Sequence, residues 1–254
     1  MIVALEEYNY SIIAEIISNS YITGVVVGDL FCDYRMFAGG KVEMMDCICN
    51  LKNAAKEVYI QTKCYMTNEV VEETINEIVY LAKKDLIDGI IIQDVGLFKE
   101  IRNAKINVDI IWGQMNAGRS NAVNLLFYRF LQSMGDIIIA TDDITKAKIL
   151  EENRVKTVLI LGKLEYSTVG RVCYTVYENN LYGVDCKRRC LKTTQCMVNE
   201  KNGISMSIDG YMLGKRYRFL ICEENVLRNR KSILYVSDYE QFNKQIKKLM
   251  GGSK

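Results

Sequence analysis

Nine cysteines are the residues of this sequence whose chemistry is most distinctive. Three of them form a C-x12-C-x3-C pattern at Cys173, Cys186 and Cys190. Closely spaced thiolates bind an iron–sulfur cluster or a structural zinc. Lys187-Arg188-Arg189 lies between two of them, and nearby cations favour the thiolate form. The sequence lacks the paired CxxC knuckles of structural zinc sites, which favours a cluster, with zinc and plain reduced thiols as the alternatives.

The other cysteines have simpler interpretations. Cys47 and Cys49 fall in a predicted apolar helix, Cys64 at a strand end and Cys222 in a strand. In such positions cysteine acts as a small buried hydrophobic residue. Cys196 is a spare thiol or an alternative ligand. A disulfide framework is not expected, because a chain of this size does not need one and a reducing compartment would not maintain it.

The sequence contains no histidine. This excludes an imidazole general base, an imidazole metal ligand and any Ser or Cys triad that depends on histidine. Proton transfer would have to use Asp, Glu, Lys, Tyr, Cys or water.

Eight short apolar, mostly β-branched runs alternate with helical stretches, which predicts parallel βαβ units. Continuous runs such as Ile90-Ile91-Ile92 suit strands buried on both faces. Eight units in about 250 residues are typical of a TIM-like (β/α)8 barrel, with a doubly wound open sheet as the alternative. We also predict a helix cap at Thr141-Asp142-Asp143 and a last helix over Tyr239–Met250. The predicted strands are Ile2–Leu5, Gly24–Val27, Val58–Thr62, Gly89–Gln93, Val108–Trp112, Asp136–Ala140, Lys156–Leu161 and Ser232–Val236.

We expect one barrel domain over residues 1–254, interrupted at about 163–230 by an insertion between the seventh and eighth strands. The insertion holds the three spaced cysteines and a predicted β-hairpin of Ile204–Ile208 and Tyr217–Cys222. In a barrel it follows the C-terminal end of a strand, on the face where barrel enzymes place their chemistry. Cys32 follows the second strand on the same face. The fold therefore allows Cys32 to join the other three thiolates as a fourth ligand.

Several polar residues also follow strands on this face. Asp94 follows the fourth strand, as a catalytic residue or as a helix N-cap. Gln114, Asn116 and Asn121 follow the fifth strand, where they bind substrate or form an Asx-rich loop that caps the next helix. Asn116 is the second catalytic candidate. Arg35 either steadies an anionic substrate or the cluster, or is a surface arginine.

Charge and hydropathy limit the class of protein. The formal net charge is +2 with 25% charged residues, which gives no footprint of a dedicated nucleic-acid binder, although a local basic patch is compatible with it. No apolar run is long enough to span a bilayer. The N-terminal MIVALEEYNY has acidic residues where a signal peptide has basic ones. We therefore expect a cytoplasmic protein without membrane contact.

Parts of the sequence resemble the collagenase-like peptidase family U32. The stretch Ile87–Gly96 resembles that family's VDAIIVQDPG segment, with Val95 in place of its proline. Gly170–Cys173 resembles its SGRC segment, with one residue inserted. Gly28–Cys32 is similar to a GEAVC segment in members of the UbiU/UbiV ubiquinone-biosynthesis type, which share the spacing of the later cysteines.

The resemblance implies a barrel-like domain and a 4Fe–4S cluster on Cys32, Cys173, Cys186 and Cys190. It also implies a subunit that assists the oxygen-independent hydroxylation, or a related redox modification, of an aromatic or RNA substrate. The expected partner is a longer homologous chain in a heterodimer. The alternatives are a peptidase or protease-associated protein, and a non-catalytic subunit whose cluster is structural.

Overall fold

The computed structural model describes residues 1–5, 10–28, 41–62, 68–113, 125–168, 196–199, 205–208, 215–220 and 230–236, together with Glu240 and Asn243. The helices of this part are α1 (Tyr10–Ser18), α2 (Lys41–Asn53), α3 (Asn68–Lys83), α4 (Val95–Asn103), α5 (Leu125–Met134) and α6 (Ile144–Glu152). Its strands are β1 (Ile2–Leu5), β2 (Gly24–Val27), β3 (Glu57–Gln61), β4 (Gly89–Ile92), β5 (Asp109–Trp112), β6 (Ile138–Thr141), β7 (Lys156–Thr168), β8 (Cys196–Asn199), β9 (Ser205–Ile208), β10 (Lys215–Leu220) and β11 (Ser232–Val236).

Eight of these strands form a closed parallel barrel. They follow one another from β1 to β7 and then to β11, which pairs with β1. Closure depends on the parallel pairing of β6 with β7, from Ile138 opposite Lys156 to Thr141 opposite Leu159. The predicted TIM-like (β/α)8 barrel is therefore confirmed, and the open sheet is excluded.

The barrel strands are buried on both faces, as their continuous apolar runs predict. In β4, Ile90 and Ile92 pack with helix residues, whereas Ile91 belongs to a separate cluster inside the barrel. All eight barrel strands contribute to that inner cluster. Its members are Ile2, Ala4, Val26, Tyr59, Ile91, Ile111, Ala140, Val158, Ile160, Ile233 and Tyr235.

The insertion departs from the predicted pairing. The seventh barrel strand continues past its predicted end at Leu161 to Thr168, and its last residues pair antiparallel with β10. The other predicted hairpin strand, β9, pairs antiparallel with β8 in a separate two-stranded sheet. Both strands exist, but in the described part of the chain they pair with other partners, so the predicted hairpin is wrong. A local alternating pattern assigns a residue to a face but does not specify its partner strand. The predicted helix Tyr239–Met250 lies outside the described residues except for Glu240 and Asn243.

Four helix-to-strand turns each contain a residue other than glycine in the left-handed backbone conformation. Ala55, Asp85, Lys105 and Arg154 have positive φ angles of 56°, 53°, 53° and 62°, and each lies two residues after the end of a helix. The left-handed conformation costs a residue with a side chain about 1–2 kcal/mol. The adjoining strands, fixed by their neighbours in the barrel, hold these turns in place at its N-terminal end.

Charged side chains close that N-terminal end. The Lys231 ammonium donates a hydrogen bond to the Tyr59 hydroxyl and lies 3.4 Å from Asp109 Oδ2 and 3.5 Å from Glu57 Oε1. Burial raises the pKa of Tyr59 to about 12. Burial also acts to lower the pKa of Lys231, but the Tyr59 hydrogen bond and the two carboxylates outweigh it and raise the pKa above its ordinary value. The charged lysine therefore links β3 and β5 to the start of β11.

The Tyr59 ring fits inside the barrel because the neighbouring strand has a glycine beside it. A Cβ atom at position 89 would lie 2.5 Å from Tyr59 Cε1 and 2.6 Å from its Cδ1. These distances are shorter than any real carbon contact, so a side chain at Gly89 would displace the ring.

We predict that Gly89→Ala lowers the free energy of unfolding by about 1–3 kcal/mol, because the added methyl group overpacks the barrel interior. In a Tyr59→Leu background the same change should cost less, because the ring is no longer there to be displaced. Urea unfolding followed by circular dichroism gives the four free energies of this double-mutant cycle. Equal costs in both backgrounds would contradict the packing account.

Candidate functional site

The candidate site is the mouth, which we define as the C-terminal ends of the eight barrel strands and the residues that follow them. Parallel strands bring these ends to one face, and barrel enzymes place their chemistry there. The longest connections leave from this face, after β2, β5 and β7. The opposite face has short turns and the Lys231 cluster instead.

A buried polar pair forms the floor of the mouth. The Tyr235 hydroxyl donates to Gln61 Oε1 at 3.0 Å, and each residue is 4% exposed. Gln61 ends β3 two residues after Tyr59, which places it on the strand's inner side. The floor therefore presents an uncharged amide and a hydroxyl at the end of an otherwise apolar barrel. Removing either partner would leave the other buried group short of a hydrogen bond.

Neither floor residue is among the site residues that the sequence predicts. One feature of the sequence could have identified them. Each is a polar residue at an inward-facing position near the C-terminal end of a barrel strand, where apolar residues otherwise prevail. Gln61 and Tyr235 both satisfy that description. Their hydrogen bond joins β3 to β11, which are not neighbours in the barrel.

Two threonines at strand ends stiffen the rim of the mouth. Thr62 Oγ1 donates to the carbonyl oxygen of Ile91 at 3.1 Å, which ties the end of β3 to β4. Thr141 Oγ1 accepts from the backbone N–H of Asp143 at 3.3 Å, at the entry to α6. Both threonines are buried; the Thr62 bond is fully buried, and the Thr141 bond is partly buried.

Asp94 caps α4. Its Oδ1 accepts from the backbone N–H of Leu97 at 2.7 Å, and its backbone is extended, with φ −113° and ψ 126°. Asp143 caps α6 in the same way, accepting from two backbone N–H groups. The predicted caps are therefore confirmed at both positions. A catalytic role for Asp94 stays a prediction.

Most of the other predicted site residues lie outside the described residues. The described structure gives the strand ends that precede them, at Val27, Trp112 and Thr168. Cys47 is buried in the core on α2, as predicted, and Cys49 is half-buried on the same helix. The residues outside are Cys32, Arg35, Cys64, Gln114, Asn116, Asn121, Cys173, Cys186, Cys190 and Cys222.

One strand of the barrel continues beyond the mouth. At Gly162, β7 pairs with Tyr235 of β11 on one side and with Leu220 of β10 on the other. Gly162 has φ +90°, and a Cβ there would run into the Tyr235 carbonyl oxygen, so this junction requires glycine. The two strands then run antiparallel to Thr168, opposite Lys215. We call these residues, 162–168 and 215–220, the ribbon; six residues of strand extend it about 20 Å past the barrel.

A cavity of about 410 Å³ lies at the N-terminal end of the barrel, and half of its lining residues are charged, with both signs present. Lys52 Nζ lies 2.9 Å from both carboxylate oxygens of Asp88, and Asp88 Oδ2 accepts from the Val58 N–H at 2.7 Å. These groups hold a helix, a turn and a strand together. The cavity therefore belongs to the stabilising end of the barrel.

Within the described ranges, no group of three or more Cys, Asp and Glu side chains is arranged to hold a metal ion. In the same part of the chain, no helix combines the length and the apolar character needed to cross a bilayer.

Comparison with known protein families gives a match to one of them. The sequence model of peptidase family U32 matches residues 12–230. This range includes barrel strands β2 to β7 and the whole insertion. No curated protein matches the chain.

Solved structures add support for the fold. The U32 peptidase Mk0906 superposes with a TM-score of 0.60 over 93% of this chain and 92% of that chain, at 12% sequence identity. An identity this low supports the barrel fold alone. The spore cortex-lytic enzymes SleL of Bacillus megaterium and Bacillus cereus superpose with TM-scores of 0.43 and 0.45, at 8% and 10% identity. Both alignments cover 93% of this chain and 70% of the other.

We predict that Asp94→Ala lowers the free energy of unfolding by about 0.5–2 kcal/mol, because the Leu97 N–H loses its acceptor. Asp94→Asn should keep most of that stability, since asparagine caps helices about as well as aspartate. Denaturant unfolding of the three proteins measures both differences. An Asn variant as unstable as the Ala variant would show that the carboxylate has a role beyond capping.

Proposed function

This chain belongs to peptidase family U32, and from that membership we propose that it is an iron–sulfur protein of the UbiU/UbiV type. In this proposal Cys32, Cys173, Cys186 and Cys190 hold a 4Fe–4S cluster above the mouth. The observation that carries it is topological. Cys32 follows β2 and the C-x12-C-x3-C segment follows β7, and both strands run toward the mouth of the closed barrel.

The reach of the chain supports this ligand set. Cys32 comes five residues after Val27, and Cys173 comes five residues after Thr168. Five residues span at most about 17 Å. Strands β2 and β7 are three positions apart around the barrel, which is about 14 Å along its wall. The chain from Val27 to Cys32 can also extend about as far from the barrel as the ribbon, which extends about 20 Å. The segments that contain Cys32 and Cys173 can therefore meet.

The chemistry of the donor set fits the group. Four thiolates are the usual ligands of a 4Fe–4S cluster, which supplies electron transfer when it is bound. Lys187-Arg188-Arg189, between two of the ligands, would offset their negative charge and favour the deprotonated sulfurs. Four protein thiolates leave no iron open to substrate, which favours electron transfer or a structural role.

We infer that the chain acts as a subunit in the oxygen-independent hydroxylation, or a related redox modification, of an aromatic or RNA substrate. The floor pair of Gln61 and Tyr235 is buried and carries no charge, which suits a neutral ring above it. The proposed substrate-binding residues at the rim are Arg35, Gln114, Asn116 and Asn121. The catalytic candidates are Asp94 and Asn116.

The family description also supports a peptidase or protease-associated role. Such a role needs an activated nucleophile or a metal-bound water. Without histidine the chain would have to build either from carboxylates, lysine, tyrosine or cysteine. The cluster proposal uses the cysteine spacing and the topology of the mouth together, and we favour it for that reason.

We predict that anaerobically reconstituted protein is brown and contains about four iron and four sulfide per chain. Single Ala variants of Cys32, Cys173, Cys186 and Cys190 should lose or convert the cluster, because each removes a ligand. Cys49→Ala is the matched control, since this thiol is half-buried on α2, away from the mouth. Iron and sulfide analysis with visible absorption measures the outcome.

Two results would contradict the cluster proposal. One is stoichiometric zinc without iron after anaerobic reconstitution. The other is loss of iron in Cys49→Ala with retention in Cys173→Ala, which would show that the ligand set is wrong.

We further predict that the reconstituted chain has no hydroxylase or peptidase turnover by itself and co-purifies with a longer homologous chain. A specific complex of this kind buries at least roughly 1,000 Å² in total. Anaerobic affinity purification from the native cell, followed by mass spectrometry, identifies the partner. Full activity of the isolated chain on a substrate would contradict the subunit role.

A further inference from the structure

We propose that Gln93 is a specificity-determining residue of the mouth, where its side-chain amide binds the hydroxyl or carbonyl group of a small uncharged aromatic ring. This inference rests on the proposed function, because it takes the mouth as the substrate site and names a residue there that recognises the ring. The position of Gln93, its neighbours and the chemistry of its amide support it.

The side chain of Gln93 begins on the inner side of the barrel, directly after β4. In β4, Ile91 faces the interior, whereas Ile90 and Ile92 pack with helix residues. Alternation along the strand therefore places residue 93 on the same side as Ile91. A contact agrees with this. A Cβ at Gly113 would lie 2.5 Å from Ile91 Cγ2 and 4.0 Å from Gln93 Cγ, so the two side chains follow one another up the same wall.

Gln93 lies one layer of inward-facing residues above the floor of the mouth. Gln61, which accepts from the Tyr235 hydroxyl, pairs with Ile91 in the β3–β4 ladder. The floor and Ile91 therefore share a layer, and Gln93 comes two residues later, which is about 7 Å farther along the strand. A ring that lies against the floor would have its edge beside the amide of Gln93.

Glycines leave the wall around this position without side chains. Gly113 is the inward-facing residue next to Gln93 on the neighbouring strand, and its backbone N–H donates to the Ile92 carbonyl oxygen at 2.8 Å. Gly28 and Gly162 occupy inner positions at the ends of β2 and in β7, by the same alternation. Backbone without a side chain allows a flat ligand to approach closely.

Rigid elements hold Gln93 from both sides. Before it, β4 is paired with β3 and β5. After it, Asp94 caps α4 by accepting from the Leu97 N–H at 2.7 Å. A binding group between two fixed elements is positioned before its ligand arrives, which favours selective recognition.

The chemistry of the amide matches an uncharged polar substituent. Glutamine both donates and accepts, so a ring hydroxyl can donate to its oxygen and a ring carbonyl can accept from its nitrogen. Gln93 is half-buried, which strengthens such a bond relative to one in water. None of Gln61, Gln93 and Tyr235 carries a charge. An anion lying on them would lose hydration without gaining an ion pair from them.

The test uses the full chain, reconstituted anaerobically, with phenol, acetophenone and benzoate as probes at pH 7. Ligand-observed NMR titration measures their dissociation constants. The parent protein should bind phenol and acetophenone at least about tenfold more tightly than benzoate, because the anion is desolvated without a partner. Gln93→Leu keeps the approximate volume but removes the amide, and it should weaken both neutral probes at least about fivefold.

Gln93→Glu separates recognition from packing. The carboxylate accepts hydrogen bonds but cannot donate them, so acetophenone should bind at least about fivefold more weakly. Phenol donates its hydroxyl proton, so its binding should not weaken. A side chain that only supports the wall would change both affinities in the same direction.

Gln132 provides the matched control. Its amide donates to the carbonyl oxygen of Arg154 at 3.3 Å, in a turn at the opposite end of the barrel. Gln132→Leu and Gln132→Glu should change every affinity less than about twofold, because neither touches the mouth. Circular dichroism checks folding, and Gln93→Ala takes the place of Gln93→Leu if the latter unfolds.

Four results would overturn the inference. They are failure of the parent protein to bind either neutral probe, benzoate affinity equal to that of phenol, neutral-probe affinities unchanged in Gln93→Leu, and equal weakening of phenol and acetophenone in Gln93→Glu. Iron content is measured in the same samples. Any of these results with a full cluster rejects the role of Gln93 and leaves the proposed cluster standing. The expected pattern in protein that binds no iron rejects the cluster and leaves Gln93 standing.

Discussion

Closure of the sheet by the β6–β7 pairing is the constraint on which the rest of the molecule depends. Eight parallel strands in an open sheet would spread their C-terminal ends over about 34 Å. In the closed barrel the same ends surround one mouth, and segments distant in sequence become neighbours there. The ends of β2 and β7 are linked through β1 and β11, and closure brings the ends of β3 to β6 to the same mouth. The interior permits closure because Gly89 leaves room for the Tyr59 ring.

The two ends of the barrel differ in their physical chemistry. At the N-terminal end, Lys231 lies among Tyr59, Asp109 and Glu57, and short turns with left-handed residues connect helices to strands. At the mouth, the floor is a neutral pair of Gln61 and Tyr235. Charged groups thus stabilise one end, whereas the floor at the other end is a buried, uncharged pair. This division agrees with the usual separation of stability and function in barrels.

Local signals in the sequence account for most of the barrel. The β-branched runs predict the positions of the eight strands, and a helix cap is predicted at Thr141-Asp142-Asp143, where Asp143 caps α6. Pairing between distant segments could not be predicted in the same way. The pairing of β10 with β7 depends on the backbone of Gly162 beside Tyr235, and the floor hydrogen bond joins residues 174 positions apart. Local periodicity assigns such residues to strands, but only the closed barrel selects their partners.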